Sequence, residues 1–592
     1  MEPKPQFAVI ARPKKVMIGG VGVSSFRKIG CEIFEAGLVN FEVQHGHRSL
    51  FASPTDPEIK LLFVGELYGQ SSASTPQYVI DAYRKAGAGF VGTLNGSFCF
   101  VLIDLRDGSL LAATDRLNSK KLFISKNAEG IAFSSDLRSH PLVDRALDVA
   151  AVAGYLANGA MLCNRTPYRN IETMARAAIY SFDGDRENLR TYWHYHFTNE
   201  YASKPPQELR EELKALLINA VAIRNPTHSC PLVSLSAGYD SMAILGIMKR
   251  YLKLSDVRCF SFSHGKVSST SDEYISREVA TQFGYPFSVV SSFSGNLNRV
   301  VERNARRGQG VSHFCHEVDG WFEIEQSEAG IEEGRLFVGD ECFGWKDRPM
   351  NSMEDVLQAV SIRDFSGLGW LASHAGKEMV ATCGELVRQD IATIVARCPE
   401  SRDLHDAKDF LYLDHRLNHV IMPWRENFSG HLFPVENPLL DNSILDFIQK
   451  TPSAQRRGKK LFIETATDML PELFNKRRAR SSSFAAYWEK RLETDKLSLS
   501  PLLREKKSLL DTLLSPDVLL QILNSYRNHE PQSKLSDLPR NAINYFLHGT
   551  KLWDAMVSKK PLSPLGQVAV EQFLHRSLVL RTALIENQPS EE

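Results

Sequence analysis

The run Pro231-Leu232-Val233-Ser234-Leu235-Ser236-Ala237-Gly238-Tyr239-Asp240-Ser241-Met242-Ala243-Ile244-Leu245 decides how this chain folds. Pro231-Leu232-Val233 reads as the end of a buried strand, and Met242 onward as an apolar helix start. Between them lies a loop of small residues. Such a loop gathers backbone N–H groups and a helix N-terminus around an anion. Ser236 and Ser241 add hydroxyl donors for phosphate oxygens. Asp240 would repel a bare phosphate, so its presence points to a bridging Mg²⁺. An ordinary βα turn is the plain alternative.

Downstream of this loop, strand and helix patterns alternate. Val257 to Ser263 and Leu336 to Gly339 read as further strands, which predicts a parallel, doubly wound sheet. Helical periodicity begins at Pro206-Gln207-Glu208-Leu209-Arg210-Glu211-Glu212-Leu213, and the chain from about 405 onward reads as mostly helical. Upstream, the first 195 or so residues are rich in short strands separated by turn residues. Candidates are Phe7 to Ile10, Leu61 to Val64, Phe98 to Ile103 and Leu110 to Ala113.

The 592 residues are 43% apolar, enough for two or more buried cores. Lys plus Arg equals Asp plus Glu at 70 each, which argues against a globally basic nucleic-acid binder. The nine cysteines show no Cys-x-x-Cys pair and no zinc spacing, so reduced thiols in a cytoplasm are expected. Met1-Glu2-Pro3-Lys4-Pro5-Gln6 lacks a signal-peptide core, no apolar run is long enough for a membrane span, and Asn587 to Glu592 read as a frayed end.

The loop resembles the Ser-Gly-Gly-x-Asp-Ser signature of the ATP pyrophosphatase group, with Ala237 in place of the first glycine. Several other segments, in order, resemble asparagine synthetases. In the first half these are Gly65-Glu66-Leu67-Tyr68, Leu94-Asn95-Gly96-Ser97-Phe98, Thr114-Asp115-Arg116-Leu117, Lys121-Leu122-Phe123 and Phe133-Ser134-Ser135-Asp136. In the second half they are Ser261-Phe262-Ser263-His264-Gly265, Ser271-Asp272-Glu273-Tyr274, Gly339-Asp340-Glu341-Cys342-Phe343-Gly344, Asn437-Pro438-Leu439-Leu440-Asp441 and Lys459-Lys460-Leu461-Phe462 before Leu470-Pro471. The resemblance implies an N-terminal-nucleophile αββα glutaminase-like sandwich over 1–200. It implies a synthetase domain with a doubly wound sheet and a helical C-terminal part over 206–592.

One departure bears on chemistry. Active members of that family start Met-Cys, and the exposed cysteine attacks glutamine with its own amine as base. Residue 2 here is Glu2 and the first cysteine is Cys31, so no glutaminase activity is expected.

The resemblance implies ATP and Mg²⁺ as cofactors. ATP and pyrophosphate would sit on Ser236, Ala237, Gly238, Tyr239, Asp240 and Ser241, with adenine beside Phe262 and Mg²⁺ on Asp240 and Asp340. Helix capping is the plain reading of either aspartate. Lys459 is the candidate electrostatic catalyst, chosen over Lys460 by its spacing to Leu470-Pro471. Glu436 and Asp414, with Glu341, are candidate acidic groups for deprotonating an amine, and Arg416 is a further second-tier site candidate. Glu436 replaces the arginine usual two positions before Pro438, and Arg335-Leu336-Phe337-Val338 replaces the usual Ser-Gly-Glu-Gly. Both changes argue for a carboxylate substrate other than aspartate.

The expected reaction is adenylation of a substrate carboxylate followed by intramolecular lactam closure, as in β-lactam synthetases and lasso-peptide cyclases of specialised metabolism and antibiotic biosynthesis. An ammonia-dependent asparagine synthetase and an inactive scaffold are the competing readings. The expected substrate is a small molecule or peptide bearing both a carboxylate and an amine, supplied by neighbouring biosynthetic enzymes. No nucleic acid or membrane partner is expected, and Lys476-Arg477-Arg478-Ala479-Arg480 near Phe484 reads as a solvated or pyrophosphate-facing patch. His313 and His316 have metal-ligand spacing but no third partner.

Overall fold

Twelve strands build the first half: β1 (Phe7–Pro13), β2 (Cys31–Ala36), β3 (Val39–His45), β4 (Leu50–Ser53), β5 (Asp56–Leu67), β6 (Gly96–Asp104), β7 (Ser109–Thr114), β8 (Phe123–Asn127), β9 (Gly130–Ser134), β10 (Glu172–Thr173), β11 (Ala178–Phe182) and β12 (Glu187–Thr191). They belong to a computed structural model that describes residues 7–13, 31–36, 39–45, 50–53, 56–69, 75–128, 130–140, 146–183, 186–225, 229–263, 269, 271–313, 317–327, 334–345, 347–400, 403–474, 487–526 and 568–585. Two six-stranded sheets result, in the orders β10-β8-β9-β1-β3-β2 and β12-β11-β7-β6-β5-β4. Their pairings are antiparallel.

Strand β6 explains the sandwich. Side chains alternate between sheet faces. Cys99, Val101 and Ile103 meet Val9 and Ala11 of β1 and Phe133 of β9 between the two sheets. Phe98, Phe100 and Leu102 point the other way, onto Val79 and Ile80 of helix α1 (Thr75–Ala86). Both faces are covered, so the sequence reads as an unbroken apolar run rather than an alternation. Each fully buried phenylalanine contributes about 1.5–3 kcal/mol relative to exposure.

Helix α2 (Val149–Asn158) leaves the sandwich behind. Val152, Tyr155 and Leu156 join the core of the second half, against the helices Lys377–Ala396 and Val570–Ala583. Arg576 from the latter donates to the carbonyls of Leu156 (2.8 Å) and Ala157 (2.9 Å), closing the C-terminal end of α2. Carbonyls left over at a helix end need such partners.

The second half holds β13 (Cys230–Ser234), β14 (Arg258–Ser263), β15 (Phe287–Ser291), β16 (Gly334–Phe337) and β17 (Val435–Glu436). They form a parallel sheet in the order β15-β14-β13-β16-β17. Helices α3 (Pro206–Ala222), α4 (Tyr239–Arg250) and α5 (Asp272–Phe283) accompany it. The strand order reverses between β13 and β16. Open sheets of this kind place their ligands at that reversal, beyond the carboxyl ends of the strands. The described residues from Leu404 to Phe474 are mostly helical, as periodicity predicts. No helix among the described residues is long and apolar enough to cross a membrane.

Candidate active site

Two loops meet at the reversal point: Ser236–Ser241 after β13 and Gly339–Glu341 after β16. Gly339 permits the approach. A Cβ there would lie 2.9 Å from the Asp240 Cβ and 3.0 Å from the Ser241 nitrogen.

The first loop is tied internally. The Ser236 N–H donates to the Ser241 hydroxyl at 3.0 Å, and that hydroxyl lies 3.1 Å from the Ser236 carbonyl. The Ala237 N–H donates to Asp272 Oδ1 at 2.9 Å, which fastens the loop to the first turn of α5. Helix α4 opens at Tyr239, earlier than the apolar run predicts, because Gly238 takes an extended conformation as N-cap. No side chain caps this end. The first-turn amides and the positive end of the helix dipole therefore face the loop, an arrangement that favours an anion.

Lys459 reaches into the same place. Its Nζ donates to Asp240 Oδ2 at 2.8 Å and Oδ1 at 3.1 Å, and stands 3.3 Å from Glu341 Oε1. Lys460, in contrast, is exposed. Gly458 and Lys459 both take left-handed φ, +60° and +63°, and this double turn aims the lysine inward at the start of the helix Lys460–Met469. Burial pushes the Asp240 and Glu341 carboxyls up, against the pull of the Lys459 ammonium. Burial also opposes the charge on Lys459, but Glu341 and Asp240 outweigh it and hold its pKa above the lysine range.

Asp340 is held by two residues that its motif does not reveal. Arg425 donates through Nε to Oδ2 (2.8 Å) and through Nη2 to Oδ1 (3.0 Å), and Asn437 Nδ2 donates to Oδ2 (3.0 Å). Arg425 follows the π-helical turn Tyr412–Ile421 and opens a second one, Arg425–Ser429. Inserted turns of this type gather at functional sites.

Other expected residues lie elsewhere. Glu436 is buried and pairs with Arg335 on the side facing the sandwich. Asp414 receives Arg176 at 2.9 Å, also toward the sandwich, and lies 3.1 Å from Arg397 at the end of the helix Lys377–Ala396. Arg416 stacks over Trp345. Phe262 is boxed edge-on by Phe260 and Trp321, with Gly320 beneath its ring. The structure does not bring these four to Asp240 and Lys459. His313 packs edge-on against Tyr155. Glu2, His264, Gly265, His316, 476–480, Phe484 and 587–592 lie outside the described residues.

A cavity of about 200 Å³ adjoins the loop, lined by Ala237, Tyr239, Met242, Tyr274, Glu278 and Phe474 among others. The Ala237 methyl, where the signature has glycine, forms part of its wall.

The donors suit Mg²⁺. Asp240 already pairs with a cation, Asp340 stands close enough to raise its pKa further, and both present hard carboxylate oxygens at the carboxyl side of the parallel sheet. Among the described residues no cluster of three or more His, Cys, Asp or Glu side chains could hold a metal alone. Mg²⁺ commonly uses one or two carboxylates with phosphate oxygens and water, and this site offers that number.

Residues 63–193 match the glutamine amidotransferase domain family. A Methanocaldococcus jannaschii protein provisionally named asparagine synthetase (glutamine-hydrolyzing) 2 is 25% identical over 230 residues, 36% of this chain and 45% of that protein. The chain is asparagine synthetase-like.

Asparagine synthetase (glutamine-hydrolyzing) 3 of Bacillus subtilis is 23% identical to this asparagine synthetase-like chain over 232 residues, 36% of it and 37% of the relative. Amidase chry2 of Gibberella zeae is 23% identical over 230 residues, 36% of the chain and 34% of the relative. The matched stretch thus spans less than half the length of each of these relatives. The glutamine phosphoribosylpyrophosphate amidotransferase of B. subtilis, solved with ADP and GMP, aligns at a TM-score of 0.19 and 9% identity, covering 58% of this chain and 77% of that one.

Proposed function

We propose that this chain is an AMP-forming amide ligase that adenylates a substrate carboxylate and closes an intramolecular lactam. The observation that carries the reading is the meeting of the uncapped start of α4, Asp240 and Lys459 at the sheet's reversal point. The first-turn amides of α4 with Ser236 and Ser241 bind the β and γ phosphates of ATP. A substrate carboxylate oxygen attacks the α-phosphorus, the bond to the β-phosphate oxygen breaks, and pyrophosphate leaves onto the loop. An amine on the same molecule then attacks the acyl carbon, loses its proton, and expels AMP. Asp240 and Asp340 would hold Mg²⁺, which supplies neutralisation of phosphate charge. Lys459 stabilises the negative charge that builds on the oxygen of the tetrahedral intermediate and on departing AMP. Glu341, buried beside Lys459, accepts the amine proton.

Two observations support an amine carried by the substrate. Burial pushes the thiols of Cys163, Cys383 and Cys398 up to about 11 and that of Cys259 up to about 12, far from a reactive thiolate. Between sandwich and parallel sheet, Arg335 pairs with Glu436 and Arg224 with Asp441, which leaves a cavity of only about 40 Å³. Asparagine synthesis from ammonia is the second reading; the names of two relatives, both glutamine-hydrolyzing, favour its asparagine product and not its nitrogen source. Pyrophosphate release from ATP tests both. Release dependent on an amino-acid or peptide substrate, with product lighter by one water, supports lactam closure. Release dependent on aspartate and ammonia supports the second, and no release under any condition defeats both.

A further inference from the structure

Asp340 is approached from the N-terminal sandwich along two separate arms. In the first, Lys120 Nζ donates to Glu426 Oε1 at 2.6 Å, with both side chains nearly buried. Glu426 is the neighbour of Arg425, whose guanidinium grips both oxygens of Asp340. In the second, Arg335 bridges Glu66 of β5 (Nη2 to Oε1, 2.9 Å) and Glu436 of β17. Glu436 is the neighbour of Asn437, which donates to Asp340 Oδ2.

The surrounding contact is tight. Tyr68 lies over the Arg224 guanidinium at 3.8 Å, Arg224 donates to Asp441 at 2.7 Å, and Asn95 donates to the same carboxylate oxygen at 2.9 Å. What space remains is a cavity of about 40 Å³, lined by Tyr68, Asn95, Ser97, Arg224, Arg425 and Asn437 among others. Charged groups buried like this cost desolvation that their pairing offsets only when every partner is in place. Loss of one partner is therefore felt by the next. Outer partners of metal-holding carboxylates fix the orientation of the ligand oxygens in the same way.

We propose that the N-terminal sandwich is a positioning element for the nucleotide site, with Lys120 and Glu66 setting Asp340 through Arg425 and Asn437. This rests on the nucleotide reading above. It gives the sandwich a role that needs no glutamine chemistry.

The test uses the full chain and three variants: Lys120→Ala, Lys120→Arg and Glu66→Gln. Calorimetry measures ATP affinity in excess chelator and across a Mg²⁺ titration, and thermal melting reports the fold. Lys126→Ala, which breaks an exposed pair with Glu187 elsewhere on the sandwich, is the control. Lys120→Ala and Glu66→Gln are expected to need on the order of tenfold more Mg²⁺ for half-maximal effect. Their chelator-phase affinity is expected to stay unchanged, and Lys120→Arg to stay near wild type. An unmoved Mg²⁺ midpoint in both overturns the inference. So does equal weakening with and without Mg²⁺ alongside a fallen melting temperature, which is what a purely structural role gives. Should Lys120→Ala not fold, the near-isosteric Glu66→Gln decides. Wild-type protein that binds no Mg·ATP overturns the nucleotide reading and this inference together, whereas wild-type binding with unmoved variants overturns the inference alone.

Discussion

Lys459 Nζ stands 2.8 Å from Asp240 Oδ2 and 3.3 Å from Glu341 Oε1, so one ammonium serves two carboxylates. Any cation arriving with a nucleotide must take Asp240 from the lysine, which then remains beside Glu341, where the proposed second step occurs. The arrangement separates the two roles by residue, and substitution should separate them by measurement.

Asp240→Ala is expected to abolish ATP-dependent pyrophosphate release while leaving the far-ultraviolet circular dichroism unchanged. Asp240 lies in the first turn of α4 with its side chain partly exposed, so its loss leaves no closed void. Release at the wild-type rate would remove Asp240 from the chemistry.

Lys459→Ala is expected to keep Mg·ATP binding, measured by calorimetry, and to lower turnover by on the order of 10²–10³, the usual cost of losing a preorganised charge-stabilising group. Normal turnover would return Lys459 to the role of a structural ion-pair partner.

Arg456 holds Asp406 and Asp409 at once, donates to the Thr451 carbonyl at 3.0 Å, and lies 3.6 Å above the Phe197 ring. It is 1% exposed. Arg456→Leu should cost roughly 3–5 kcal/mol in urea unfolding, because buried Asp406 loses its counter-charge and buried Asp409 is left with Lys408 alone. Adding Asp406→Asn and Asp409→Asn should recover part of that loss. A cost under about 1 kcal/mol, the size of an exposed pair, would contradict the burial argument.

Glu436 is pushed up to about 7, first by burial and then by Glu66, against the pull of Arg335 and Arg224. An unfolded glutamate titrates near about 4.3. Between those values the folded chain binds the extra proton, so this residue's contribution to stability is present at the low end and falls as pH rises through the window. Melting temperatures of Glu436→Gln and wild type, taken from about pH 5 to about pH 8, should diverge, with the variant losing less as pH rises. Parallel curves would mean the carboxyl titrates normally.

The parts of this fold legible in sequence are those that local pattern encodes. The small-residue loop after Pro231-Leu232-Val233 fixed both the parallel strand and the anion-facing helix start. The spacing from Lys459 to Leu470-Pro471 selected, of two neighbouring lysines, the one that pairs with Asp240. Arg425 escaped because it pairs with Asp340 across 85 residues, and nothing in Trp424-Arg425-Glu426 signals a distant carboxylate. Glu436 and Asp414 matched the chemistry of an acid or base, yet chemistry at a position says nothing about which way a side chain points. β17 turns Glu436 toward Arg335, and the π-helical segment turns Asp414 toward Arg176. The strand containing Phe262 was evident, but its ring's closure by Trp321 depends on a helix that lies beyond β15.

Helix α2 precedes the presumed junction near residue 200 but is wedged among helices that follow it, with Arg576 locking its end. A truncation that begins at residue 206 would therefore open a trench in the second half rather than release it cleanly. For anyone grafting halves between relatives, the seam runs through three dimensions and cannot be cut at a single peptide bond.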